Sequence, residues 1–211
     1  MKKNLQIAIS IIYFFILGCN RNPIVLKDYG QMENFTLIDQ NSQKREFYSI
    51  KGKAMLLFFG YSHCPDYCPA TLSKLFKVQQ EFPEDAKPII IFITVDPERD
   101  TPEILNEYIK KILYSSLSSP YVKAKPEMMN EYISKYEKNI IGFTGKKTEI
   151  EEIAKKLGIY FRIEKHGSHI HIEHTTSTFL LDKDYKIRYI FPFKESKKKI
   201  IEGILASYKL N

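Results

Sequence analysis

The sequence predicts an α/β fold: a mixed sheet with helices on both faces. Three observations predict it. Ala54 to Phe59 and Ile89 to Val95 are unbroken apolar runs of strand length, the pattern of strands buried on both faces. Each is followed by a segment with apolar residues at helical spacing. Near the end, two strand-like runs flank Asp182-Lys183-Asp184 and precede a last helical stripe, so a hairpin and a helix close the chain.

The elements follow in order. Asn20 to Gly30 reads as a tether, and the folded domain is expected from Phe35. Phe35 to Ile38 and Phe47 to Ile50 are short strands around the turn cluster Asp39-Gln40-Asn41-Ser42. Gly60 stops the first apolar run. A helix is expected from Pro69, with Leu72, Leu75 and Phe76 on its inner face and Pro83 at its end. Thr101 caps a second helix that carries Ile104, Leu105, Tyr108, Ile109 and Ile112. Tyr114 to Pro120 is Ser-rich and reads as a loop, and Pro126 to Tyr136 as a short helix. Ile140 to Phe143 is a strand, Thr148 to Leu157 a helix, and Ile159 to Ile163 an alternating strand. Thr176 to Leu181 pairs with Ile187 to Phe191. Ser196 to Tyr208 is the last helix, with Ile200, Ile201, Ile204 and Leu205 expected inside.

Composition narrows the function classes. The chain has 211 residues, 44% apolar and 27% charged, with no Trp and three Cys. These values suit one globular domain and exclude disordered and multi-span membrane chains. The formal charge is +7, but Lys and Arg are interleaved with Glu and Asp and no nucleic-acid motif is present. A solvated surface, biased toward anionic lipid or an acidic partner, is expected rather than nucleic-acid binding.

The first eighteen residues read as an address. Lys2 and Lys3 precede an apolar run from Ile7 to Leu17, too short for a bilayer core of roughly 30 Å. Gly18-Cys19 resembles the lipobox of bacterial lipoproteins, which implies lipidation of Cys19. Residues 1–18 are then a signal peptide, 19–34 a tether and 35–211 the domain. The alternative is a retained signal anchor. Both place the domain outside the cytoplasm.

With Cys19 set aside, Cys64 and Cys68 remain as a pair. They lie in Gly60-Tyr61-Ser62-His63-Cys64-Pro65-Asp66-Tyr67-Cys68-Pro69, between a buried strand and a helix. Residues four apart on a helical turn face one side. The two sulfurs are therefore placed to form a disulfide or to clamp one soft metal. A helix amino terminus favours the thiolate that either role needs. Structural zinc is disfavoured, because no second Cys pair completes four ligands. Two thiolates and one imidazole suit copper. His63 precedes Cys64, and His166, His169, His171 and His174 cluster later. His166, His169 and His171 read as solvated loop residues or as an auxiliary metal patch.

These residues resemble the signatures of the Sco/SenC copper proteins. The segment from Gly60 to Pro69 is similar to their first block, and Val95-Asp96-Pro97-Glu98-Arg99-Asp100-Thr101-Pro102 to their second. Ile141-Gly142-Phe143-Thr144-Gly145 and Glu173-His174-Thr175 resemble the third and fourth. The likeness runs from Phe35 to Tyr208. It implies a thioredoxin-like fold with an added hairpin, and one copper ion, Cu(I) or Cu(II), held by Cys64, Cys68 and His174. It implies delivery of copper to, or thiol reduction at, the two-copper centre of cytochrome c oxidase subunit II. It implies a supporting or partner-docking role for Asp96, whose plainer reading is a turn residue. A metallochaperone is thus expected rather than an enzyme, with an extracytoplasmic thiol–disulfide oxidoreductase or a copper sensor as alternatives. Two departures stand out: Glu173 replaces the usual Asp, and Leu113 to Lys138 is longer than the family norm.

Overall fold

The computed structural model describes residues 24–50, 54–117, 133, 137–166 and 169–210. Cys19, the signal segment and, Ile133 apart, the helix expected over Pro126 to Tyr136 lie outside them, as does most of the Leu113 to Lys138 stretch.

Nine strands and four α-helices make up the described residues. They are β1 Thr36–Asp39, β2 Lys44–Glu46, β3 Met55–Gly60, α1 Tyr67–Gln79, β4 Ile89–Thr94, α2 Pro102–Leu117, β5 Ile140–Thr144, α3 Lys147–Lys156, β6 Phe161–His166, β7 His169–His174, β8 Thr178–Leu181, β9 Ile187–Phe191 and α4 Lys197–Tyr208. Seven strands form a mixed sheet in the order β2-β1-β5-β4-β3-β8-β9, and β6-β7 is a separate hairpin. The centre is parallel: β4 pairs in parallel with both β3 and β5. The flanks β1, β8 and β9 are antiparallel.

The unbroken apolar runs are explained by a core on each face. Met55, Leu57 and Phe59 of β3 join Ile91 and Ile93 of β4 under α3, which contributes Ile150, Ile153 and Ala154. Leu56 and Phe58 face the other way, with Ile90 and Phe92, against α1, α2 and α4. Side chains alternate along a strand, so a strand covered on both faces needs apolar residues throughout.

Five expectations are corrected. Phe47 to Ile50 is not a strand: β2 ends at Glu46, and Phe47–Ser49 is a 3₁₀ turn that buries the Phe47 ring. The helix expected to end before Tyr114 runs to Leu117. Ser115 turns its hydroxyl back to the Ile112 carbonyl at 2.9 Å, and Leu113 is fully buried, so helical packing overrides the serines. In α4 the buried stripe is Ile200, Gly203, Ile204 and Ser207, while Leu205 is 47% exposed. Gly203 admits the Phe191 ring, which would lie 2.7 Å from an added Cβ. The strand sought at Ile159 to Ile163 is shifted to β6, and His166, His169 and His171 lie in strands rather than loops.

The fifth correction concerns the tether. Among the described residues, packing already includes Ile24, ahead of Phe35. Ile24 and Leu26 lie against the core, and Met32 is buried. Lys27 and Tyr29 donate backbone N–H groups to Arg188 and Ile187, and Ile187 donates to Gly30. The segment thus covers the open edge of β9, satisfying backbone groups that an edge strand leaves unpaired.

Candidate metal centre

The site forms where β3 ends and α1 begins, at the carboxyl end of a central parallel strand, where open α/β sheets place their sites. Gly60 closes β3, and the chain turns through Tyr61 to Asp66. The Asp66 side chain caps nothing at the start of α1. Instead the Cys68 N–H donates to Cys64 Sγ at 3.4 Å. The first cysteine takes the role of a capping oxygen, so its sulfur sits at the positive end of the helix.

The thiols are held in unequal states. Cys64 is pushed well below the usual thiol range, first because it accepts the Cys68 S–H. His174 and the N–H groups of Cys68 and Asp66 add to this, and burial opposes it. Cys68 is pushed up, because it keeps its proton to donate to the Cys64 thiolate and because it is buried. The pair therefore shares one proton, with the charge on Cys64.

Gly60 makes room for this. A Cβ there would lie 2.8 Å from Cys68 Sγ and 2.9 Å from the Phe92 ring. Cys68 packs onto the strand end because no side chain intervenes.

The imidazole arrives from the β6-β7 hairpin. Ile172 of β7 is buried with Tyr61, Cys64 and Cys68, and two residues on His174 faces the same way. Its Nε2 lies 3.6 Å from Cys68 Sγ. Its Nδ1 lies 3.0 Å from the Thr175 carbonyl. A carbonyl only accepts, so Nδ1 donates to it, and Nε2 is the ring nitrogen that faces the sulfur. The Tyr61 ring meets the imidazole edge to face at 6.0 Å. Burial raises the Tyr61 hydroxyl to about 12, so this wall of the site stays uncharged.

The second block lies beneath the cysteine loop. Asp96 is buried. Its backbone carbonyl accepts from the N–H groups of Arg99 and Asp100, and its side chain is paired with Arg99. Burial raises its pKa, which the guanidinium opposes. These contacts make Asp96 the corner of the turn after β4. The residue that sequence reasoning passed over is Asp100. It is fully buried and accepts from the Ser62 N–H at 3.0 Å, the Ser62 hydroxyl at 2.5 Å and the Thr94 hydroxyl at 2.6 Å. It anchors the loop that carries Cys64. The signal for it was the carboxylate four residues after Asp96, inside a turn that a solvated acid would leave.

His63, Asp96 and Asp100 place one ligand atom each within 4.8 Å of one another. Arg99 already neutralises Asp96, and three donors occupy Asp100, so this cluster holds the loop without an ion. Of the predicted site residues, the structure brings Cys64, Cys68 and His174 together and sets Asp96 in the neighbouring turn.

The fold and the site define a class: a domain of thioredoxin-like architecture whose helix-start dithiol is joined by one imidazole from an added hairpin. The comparisons then place the chain. The SCO1/SenC family model matches residues 27–117 and 123–209, and the chain belongs to that family. It is 32% identical over 210 residues to a SCO2-like protein of Rickettsia typhi, covering 94% of this chain and 92% of that one. Among solved structures, Arabidopsis thaliana ScoI with copper bound superposes with a TM-score of 0.69 at 23% identity, covering 86% of this chain and all of that one. BsSco is described as a member of the Sco family of cytochrome c oxidase assembly proteins in which a disulfide switch was identified. It superposes with a TM-score of 0.60 at 24% identity over 90% of this chain and 98% of its own.

Proposed function

We propose that this protein carries one copper ion as cargo, held by Cys64, Cys68 and His174, for the assembly of a respiratory oxidase. The observation that carries the reading is the placement of His174 Nε2 at 3.6 Å from Cys68 Sγ, with Cys64 Sγ at the same helix start. Two thiolates and one neutral imidazole form a soft, three-donor set with no carboxylate. Such a set favours Cu(I), and the imidazole keeps Cu(II) accessible. Cys64 meets the ion already ionised, and Cys68 releases its proton on binding. The copper-bound ScoI relative and the assembly role given for BsSco support the cargo and the destination.

Delivery to subunit II of cytochrome c oxidase is the finer step of this proposal. The acceptor's thiolates displace the three ligands one at a time, which avoids a free ion. Asp96 and Asp100 keep the cysteine loop in place during the exchange. The lipobox-like Gly18-Cys19 supports a carrier on the outer side of a membrane, lipid-anchored at Cys19. Among the described residues no helix is long and apolar enough to cross a membrane.

The test is Cu(I) content of the protein after anaerobic loading and desalting. One equivalent is expected in the wild type and far less in Cys64→Ala, Cys68→Ala and His174→Ala. Unchanged stoichiometry in these variants overturns the ligand set. One observation favours a second reading, as a thiol–disulfide oxidoreductase: the unequal ionisation of Cys64 and Cys68 suits an attacking thiolate and its resolving partner. Cells lacking the protein separate the two. Rescue of oxidase activity by added copper supports delivery, and failure supports thiol reduction.

A further inference from the structure

Tyr108 carries a buried hydroxyl to which nothing among the described residues bonds. It lies on α2, in the stripe that also buries Leu105, Ile109 and Ile112. The residue is only 9% exposed, and its hydroxyl oxygen has no hydrogen-bond partner. A buried phenol usually finds one, because leaving it unpaired costs free energy.

Its neighbours belong to the metal centre. The Tyr108 ring lies against Phe92, with centroids 5.8 Å apart. Phe92 and Cys68 Sγ flank one point, since a Cβ on Gly60 would meet the sulfur at 2.8 Å and the Phe92 ring at 2.9 Å. Burial raises the Tyr108 pKa, and negative charge at Cys68, Cys64 and Asp100 adds to this in that order. The phenol therefore keeps its proton, and Cys68 is the group whose charge it feels most.

In the metal-free protein Cys68 keeps the shared proton and donates it in a hydrogen bond to Cys64. Binding of Cu(I) changes this. One Cu(I) enters and one proton leaves to solvent, so the net charge of the pair is unchanged, but the S–H donor is gone. Cys68, 2% exposed, becomes a buried thiolate with lone pairs beyond the one that binds the ion. Hydrogen bonds to a metal-bound sulfur tune both affinity and potential.

We propose that Tyr108 is a positioning residue of the copper site: its hydroxyl is held unpaired in the metal-free protein and donates to Cys68 Sγ when copper is bound, which favours Cu(I) over Cu(II). The preference follows because the sulfur carries more negative charge on Cu(I), and hydrogen bonds strengthen with the charge of the acceptor. This inference rests on the cargo reading, and its test separates the two.

The test compares full-length wild type with Tyr108→Phe. The readouts are Tm of the metal-free protein, Cu(I) affinity by chelator competition, and the Cu(II)/Cu(I) midpoint potential. Cu(I) affinity should fall by about 10–100-fold in the variant, as for loss of a hydrogen bond to a charged group. Cu(II) affinity should fall less, so the potential should drop. The metal-free Tm should hold or rise, because the deleted hydroxyl had no partner. A tyrosine that merely packs would move neither copper readout. Tyr208→Phe is the control: its hydroxyl donates to the Ala86 carbonyl at 2.6 Å, so its loss should lower Tm and leave Cu(I) affinity intact. A wild type that holds no Cu(I) overturns the cargo reading and this inference with it. Where the wild type holds Cu(I), an unchanged Cu(I) affinity or potential in Tyr108→Phe, or a metal-free Tm below wild type, overturns this inference alone.

Discussion

Replacing Gly60 by Ala tests whether the strand end sets the position of the second sulfur. The added Cβ would stand 2.8 Å from Cys68 Sγ and 2.9 Å from the Phe92 ring, whereas ordinary contact begins at 3.4 Å. The sulfur must therefore retreat by about 0.6 Å, because Phe92 is fully buried and stacked on Phe58 at 5.0 Å. Overpacking of this kind costs about 1–3 kcal/mol. At about 2 kcal/mol, a domain of this size should lose roughly 4–8 °C in Tm. Functional sites tolerate displacements of only about 0.5 Å, so Cu(I) affinity should fall by about 10–100-fold. The assays are thermal unfolding of the metal-free protein and Cu(I) competition with a chromophoric chelator. Gly142→Ala is the control. Its Cβ would meet the end of the Ile109 side chain at 2.9 Å and neither sulfur, so stability should fall with copper affinity intact. A Gly60→Ala protein that binds Cu(I) as tightly as the wild type would refute the reasoning.

Two further outcomes are expected. The depressed Cys64 pKa means that its thiolate persists well below the ordinary thiol range, so alkylation of the reduced, metal-free protein should stay fast at pH 5–6. It should fall only as pH drops toward about 3, while Cys68 stays slow across that range; mass spectrometry of modified peptides gives the profile, and a midpoint near 8.5 contradicts the assigned ionisation. Asp100→Asn replaces one acceptor oxygen with a donor facing Ser62 and Thr94. It should cost about 1–3 kcal/mol by chemical denaturation and weaken Cu(I) binding, and an unchanged Cu(I) affinity contradicts its anchoring of the cysteine loop.

Local chemistry made much of the molecule legible before any coordinates. Leu56 to Phe59 and Ile90 to Ile93 are apolar at every position because both faces are covered, and only buried central strands read that way. Ser196 announced the last helix and caps it, accepting from the Lys199 N–H at 3.2 Å. The dithiol was legible because two cysteines four residues apart at a strand-to-helix junction have few other uses.

What failed was context. Ile24 to Met32 resembles a linker because the backbone hydrogen bonds that hold it as an edge-covering strap run to Arg188, Ile187 and Tyr185, far along the chain. His169 to His174 alternates with period two, yet imidazole serves equally as core, ligand or solvated group, so the pattern alone names no face.

By itself the sequence determined which segments are buried on two sides, where the first helices start, and that one soft-metal or redox pair exists. These depend on contacts within a few residues. The tertiary structure alone decided that the hairpin folds over the cysteine loop, how close the His174 named by the family likeness comes to Cys68, and that Asp100 holds the loop from below. Those pairings span 106 and 38 positions in the chain. Non-local contacts are fixed by the closure of the whole core, which no short window of residues encodes.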